Sequence, residues 1–148
     1  MDLFEPPNKE IWLFREKWID RLLEESEIGY SYEVSDHSTA LFMDMRRAFC
    51  AGAWLSVIIV SISVIDAHLR ETEANNNKIG TAKLLNEYYK GGDDINWLRL
   101  LRNKYVHLNV DNPALEMNVW FNNQEEMEDN AKKAIEICIK AFFQSPGT

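Results

Sequence analysis

Arg102, Asn103 and His107 stand together in the stretch RNKYVH, three polar side chains of different chemical ability. The imidazole of His107 takes or gives a proton near neutral pH. The guanidinium of Arg102 is a planar, permanently charged fork suited to a phosphate. The amide of Asn103 orients a reacting group or donates to a phosphoryl oxygen. Together they suit cleavage of RNA by its own 2'-hydroxyl. A base removes the hydroxyl proton, the arginine stabilises charge on the crowded phosphorus, and an acid protonates the departing oxygen, leaving a cyclic phosphate. One histidine fills one of the two proton roles at a time, so a symmetric dimer joining two copies of the trio would supply both.

The element that must position these groups is a helix from Asp94 to about Leu108, ahead of Asn112-Pro113. At 3.6 residues per turn, Leu98, Leu101, Tyr105 and Leu108 form one apolar stripe. Asn103 and His107, an i,i+4 pair, share a face roughly opposite, with Arg102 on the flank. Ile95, Trp97, Leu100 and Val106 fall outside the stripe. A helix apolar around its circumference is covered on more than one side, which points to a homodimer interface along this helix with the polar site inside it.

The preceding elements supply a scaffold and one further candidate. Asn8–Glu27 reads as a first helix, with Ile11, Phe14, Trp18 and Leu22 at helical spacing and Ile19 and Leu23 widening the stripe. Gly29 opens a connection through Val34, and Asp36 or Ser38 is placed to cap the second helical stretch. From there Leu41, Met45, Ala48, Gly52, Leu55, Ile59 and Ile62 step by four and three, as one helix or as two broken at Gly52. The same register puts Asp66 on the core stripe, where a carboxylate needs a partner, and an arginine from another helix is the evident one. Thr81–Lys90 is a shorter helix ended by Gly91 and Gly92. Ala114–Phe121 reads equally as an extended segment or a turn of helix, and Gln124–Phe143 closes the chain with Met127, Ala131, Ala134, Cys138 and Phe142 as its buried face. Ser145–Thr148 is a tail. No strand pattern competes: the expected fold is all-α, one domain over residues 1–148, an up-and-down bundle of about four to six helices.

Composition sets limits on function. The formal net charge is −8, which argues against sequence-blind nucleic-acid binding over the whole surface but leaves room for a local basic site among Arg46, Arg47, Arg70, Arg99, Arg102 and Lys104. Cys50 and Cys138 sit in apolar helical patterns and read as core residues in a reducing cytoplasm. No dense ligand motif suggests a metal or another cofactor. The N-terminus lacks the basic start and apolar run of a signal peptide. Ala48–Ile65 carries no charge over 18 residues, the lower edge of a membrane span, and reads more readily as the central helix of a bundle.

With those residues in view, RNKYVH resembles the R-(polar)-x-x-x-H form of the Rx4-6H motif of HEPN domains, a motif diagnostic only in its helical context. The resemblance runs over roughly residues 36–143. The small-rich helix AFCAGAWLSVIIVSISVIDAHLRE is similar to the family's long helix, Asp66 standing at the place of its acidic residue, and the order of long, short, motif and closing helices agrees. The resemblance implies a commonly dimeric α-helical bundle and a metal-independent endoribonuclease, acting as a toxin with a cognate antitoxin or regulatory protein, or in antiviral defence. It assigns Arg102 and His107 to the catalytic pair and Asn103 to the polar position, with Asp66 orienting or neutralising Arg102. Members paired with a nucleotidyltransferase antitoxin often carry a tyrosine two residues after the histidine; Asn109 stands there in this chain, so that mode of inactivation is not implied. A second reading belongs to another class: a non-catalytic HEPN-like module that dimerises or binds a partner protein. The acidic charge favours it, whereas the intact Arg102, Asn103 and His107 favour the enzyme.

Overall fold

Gly52 divides the apolar middle of the chain. It adopts φ +81°, a left-handed conformation natural to glycine, and its N–H caps the carbonyls of Ala48 and Phe49. Two helices result where the periodicity allows one or two. The computed structural model describes residues 2–27 and 35–144; the expected Gly29–Val34 connection and the Ser145–Thr148 tail lie outside them. Among the described residues there is no strand, and the α-helices are α1 (Lys9–Glu27), α2 (Asp36–Ala51), α3 (Trp54–Leu69), α4 (Thr81–Tyr88), α5 (Asp94–Val106), α6 (Met117–Asn122) and α7 (Gln124–Phe143), with a π-helical turn over Arg70–Ala74. These seven exceed the expected four to six because Gly52 splits the long helix and the ambiguous segment before α7 contains a short one.

α3 is the central element. Trp54, Val57, Ile58, Ile62, Val64, Ile65 and Leu69 are buried around most of its circumference, against α2, α5 and α7. Its buried hydroxyl is satisfied within the helix, Ser61 Oγ donating to the Ile58 carbonyl at 2.6 Å. Ser38 Oγ of α2 donates to the Val64 carbonyl at 2.7 Å, which sets the two helices antiparallel. α3 ends before a membrane crossing is possible: its 16 residues span about 24 Å. No helix among the described residues is long and apolar enough to cross a membrane.

The remaining helices are aligned by specific contacts. α1 runs antiparallel to α2, with Arg46 bonded to Glu16 at 3.3 Å and Asp20 at 2.5 Å and Trp18 stacked on Phe49. The expected face of α7 (Met127, Ala131, Ala134, Cys138, Phe142) is buried throughout. α5 lies antiparallel along α7. Lys140 pairs with Asp94 at 2.8 Å, and Lys133 sits over the Trp97 ring at 4.0 Å. Burial pushes the thiols of Cys50 and Cys138 up, which keeps both as protonated core residues.

Some expected details shift. Ser35, not Asp36 or Ser38, caps α2 by accepting the Ser38 N–H at 3.2 Å. Phe42 and Phe49 face the core in place of Leu41 and Ala48, which lie at its flank. Phe14 points outward from α1, and Leu108 is 76% exposed.

Candidate functional site

α5 carries the RNKYVH stretch, and its packing fixes what each side chain can reach. Ile95 and Leu98 are buried, and Leu101 and Tyr105 pack on the core from the flank. Arg102 and Asn103 lie on the half-buried side. The helix stops one residue before the histidine. His107 is extended (φ −105°, ψ 114°), its backbone N–H closing the last turn on the Asn103 carbonyl at 2.9 Å. Asn109 then builds a turn, its Oδ1 accepting from the N–H groups of Asp111 at 3.1 Å and Asn112 at 3.3 Å. The expected i,i+4 pairing of Asn103 and His107 on one helical face is therefore not formed. His107 stands exposed beyond the helix end, and among the described residues its ring makes no hydrogen bond.

Arg102 and Asn103 are brought together directly: Arg102 Nη1 donates to Asn103 Oδ1 at 3.3 Å. The Nε of Arg102 is enclosed and has no partner. Asp66 is placed elsewhere. Both its oxygens are taken by Arg70, Nε on Oδ1 and Nη2 on Oδ2, each at 2.9 Å, and Oδ2 also accepts from Thr81 Oγ1 at 2.7 Å. Burial alone would raise the Asp66 carboxyl, but the Arg70 and Thr81 hydrogen bonds outweigh it and hold the group below its ordinary value. The topology separates the two candidates. α3 runs parallel to α7, as the His68–Phe142 and Ser61–Cys138 contacts require, and α5 runs antiparallel to both. Asp66 thus lies at the C-terminal end of α7 and Arg102 beside its N-terminal half, on the order of 15 Å apart along the bundle. The expectation that Asp66 partners Arg102 is corrected. The i,i+4 spacing of Asp66 and Arg70 is the signal that identifies the true pair.

Electrostatics single out α5. Of the central basic residues, Arg46, Arg47 and Arg70 are each held by carboxylates. Arg99, Arg102 and Lys104, all on α5, have no ion-pair partner among the described residues. Arg99 is a neighbour the motif spacing did not include, one turn before Arg102 on the same side of the helix. The outward surface of α5 and of the turn after it also carries apolar side chains: Leu100 is 60% exposed, Val106 40% and Val110 81%. Among the described residues no group of three or more His, Cys, Asp or Glu side chains could hold a metal ion. The chain matches no family model, no curated protein and no solved structure.

Proposed function

We propose that the chain is a HEPN-like helical domain that cleaves RNA without a metal, Arg102, Asn103 and His107 forming half of a site completed by a second copy. The observation that carries this reading is the state of Arg102: a half-buried guanidinium braced by Asn103 and left without a counter-ion among the described residues. A partly buried charge lacking a carboxylate is less well satisfied than a paired one, and a phosphate brought by substrate supplies the missing anion. Arg99 and Lys104 extend the positive potential along the same helix, giving a local basic site on a chain of net charge −8. His107 stands exposed at the end of that helix. Exposed Leu100, Val106, Leu108 and Val110 beside it give a second copy apolar surface to cover. As in the toxin and defence proteins the motif resembles, a cognate antitoxin or regulatory protein would restrain the activity.

The test is direct. Purified protein incubated with single-stranded RNA in excess chelator should yield fragments with 2',3'-cyclic phosphate ends, and His107→Ala should abolish them while the oligomeric state is unchanged. One observation favours the rival, a non-catalytic partner-binding module: the His107 ring makes no hydrogen bond to Arg102 or Asn103, which bond to each other. Wild type and His107→Ala equally inert on diverse RNAs would decide for that rival.

A further inference from the structure

A second feature shares no residue with α5. At the end of the bundle where the α2–α3 turn meets the N-terminal segment and the first turns of α7, an open cleft of about 800 Å³ is bounded by Trp54 and Phe121 on its apolar side. Phe121 stands edge-on to Trp120 at 4.9 Å and to Phe4 at 6.4 Å. Phe4 is 77% exposed and Phe121 46%, so Phe121 in the lining and Phe4 beside it leave open rings that could have been buried. The charged part of the lining is mostly acidic: Asp2, Glu5, Glu125 and Glu128 against the single cation Arg15.

The partners of these charges decide what the cleft accepts. Arg15 is already used, its guanidinium 4.8 Å from the Trp54 ring centroid and its Nη1 donating to the Cys50 carbonyl at 3.1 Å. Lys132 takes Glu128 at 3.4 Å. Glu5 and Glu125 have no ion-pair partner among the described residues. Aromatic rings beside unpaired carboxylates repel a polyanion and complement a segment that mixes apolar side chains with cations. The Arg15–Trp54 contact is an internal example of the same recognition in the same wall.

We propose that this cleft docks a basic, apolar peptide segment of a partner protein. A cationic side chain meets Glu5 and Glu125, and apolar side chains cover Phe4 and Phe121. The inference stands apart from the nuclease reading. Its test uses the full chain and a fluorophore-labelled short synthetic peptide alternating leucine and arginine, monitored by fluorescence anisotropy. Saturable binding is expected, weakened roughly tenfold by Glu5→Gln with Glu125→Gln and roughly fivefold by Phe121→Ala. The charge-matched pair Glu24→Gln with Glu25→Gln, on α1, should alter it by less than about twofold. Equal weakening by both pairs reduces the effect to net charge and overturns the site, as does binding that never saturates. If sedimentation without peptide shows self-association that Glu5→Gln with Glu125→Gln dissolves, the occupant is a second copy and the peptide assignment fails.

Discussion

Asp66 and Arg70 form a two-pronged pair one helical turn apart, each carboxylate oxygen 2.9 Å from a guanidinium nitrogen. Through its Nη1, Arg70 also donates to the Asn76 and Ile79 carbonyls at 3.0 and 2.7 Å, so the pair ties the loop after the π-helical turn to α3. Both side chains are about four-fifths covered. Asp66→Asn breaks the charge pair and should cost about 2 kcal/mol, lowering the melting temperature by roughly 4–8 °C. The native carboxyl lies below its ordinary value, so the unfolded chain binds the proton more readily. The stabilisation is then complete above about pH 3.9 and is lost as pH falls through the folded value. Urea unfolding across pH should show the wild type and variant converging in acid.

A second titration acts nearer neutrality. His68 is 4% exposed, its ring edge-on to Phe142 at 5.0 Å and its Nδ1 without a partner. Burial depresses its pKa, and the nearby Glu73, the Ala141 backbone and Glu71 only partly oppose this. The folded state therefore holds a neutral imidazole while the unfolded chain protonates below about pH 6.5. Stability should be full above that pH and decline as pH falls from there through the folded value. His68→Gln should flatten this part of the profile in chemical denaturation.

Much of the fold can be read from periodicity because most elements are long and one-sided. α7 is the clearest case, its apolar positions recurring without interruption over 20 residues. The register of α2 and α3 is less accessible. Gly52 breaks the helix and resets the rotation, so Phe42 and Phe49 turn inward where a continuous pattern selects Leu41 and Ala48. At the site, Arg102 beside Asn103 follows from adjacency, but the end of α5 does not. Asn109 and Pro113 lie beyond His107, and the stop coincides with a local turn closed by the Asn109 side chain, which apolar periodicity does not register. The core register gives Asp66 a distant arginine although Arg70 stands four residues away; spacing within one helix is the stronger evidence.

The exposed apolar residues after α5 give the dimer reading its own check. Leu108 and Val110 are 76% and 81% exposed and lie outside the buried core, so charging them should leave the monomer intact. Leu108→Asp with Val110→Asp should raise the dimer dissociation constant by at least about tenfold with an unchanged circular-dichroism spectrum. Sedimentation equilibrium measures the first quantity. A wild type that is monomeric at all concentrations would remove the composite site.

Gly52 offers a test of the break itself. Its φ of +81° disfavours any L side chain, and an added Cβ would lie 3.3 Å from Arg15 Nη1. Gly52→Ala should therefore destabilise by about 1–2 kcal/mol through backbone strain, with any shift of Arg15 from the Trp54 ring seen as a change in tryptophan emission.

The sharpest separation of site from scaffold lies between two arginine pairs. Arg70 is consumed by Asp66, whereas Arg102 has Asn103 and no carboxylate among the described residues. If Arg102 holds a phosphate, it does so with a fork that lysine cannot reproduce, since an ammonium is a point charge without paired parallel donors. Arg102→Lys keeps the charge and the helix and should reduce RNA cleavage by roughly a hundredfold or more at unchanged melting temperature. Asp66→Asn should do the reverse: measured well below its melting point, it should cleave RNA at the wild-type rate while melting earlier. Equal loss of activity in both variants would mean that Asp66 serves the site after all, and equal retention would mean that Arg102 does not.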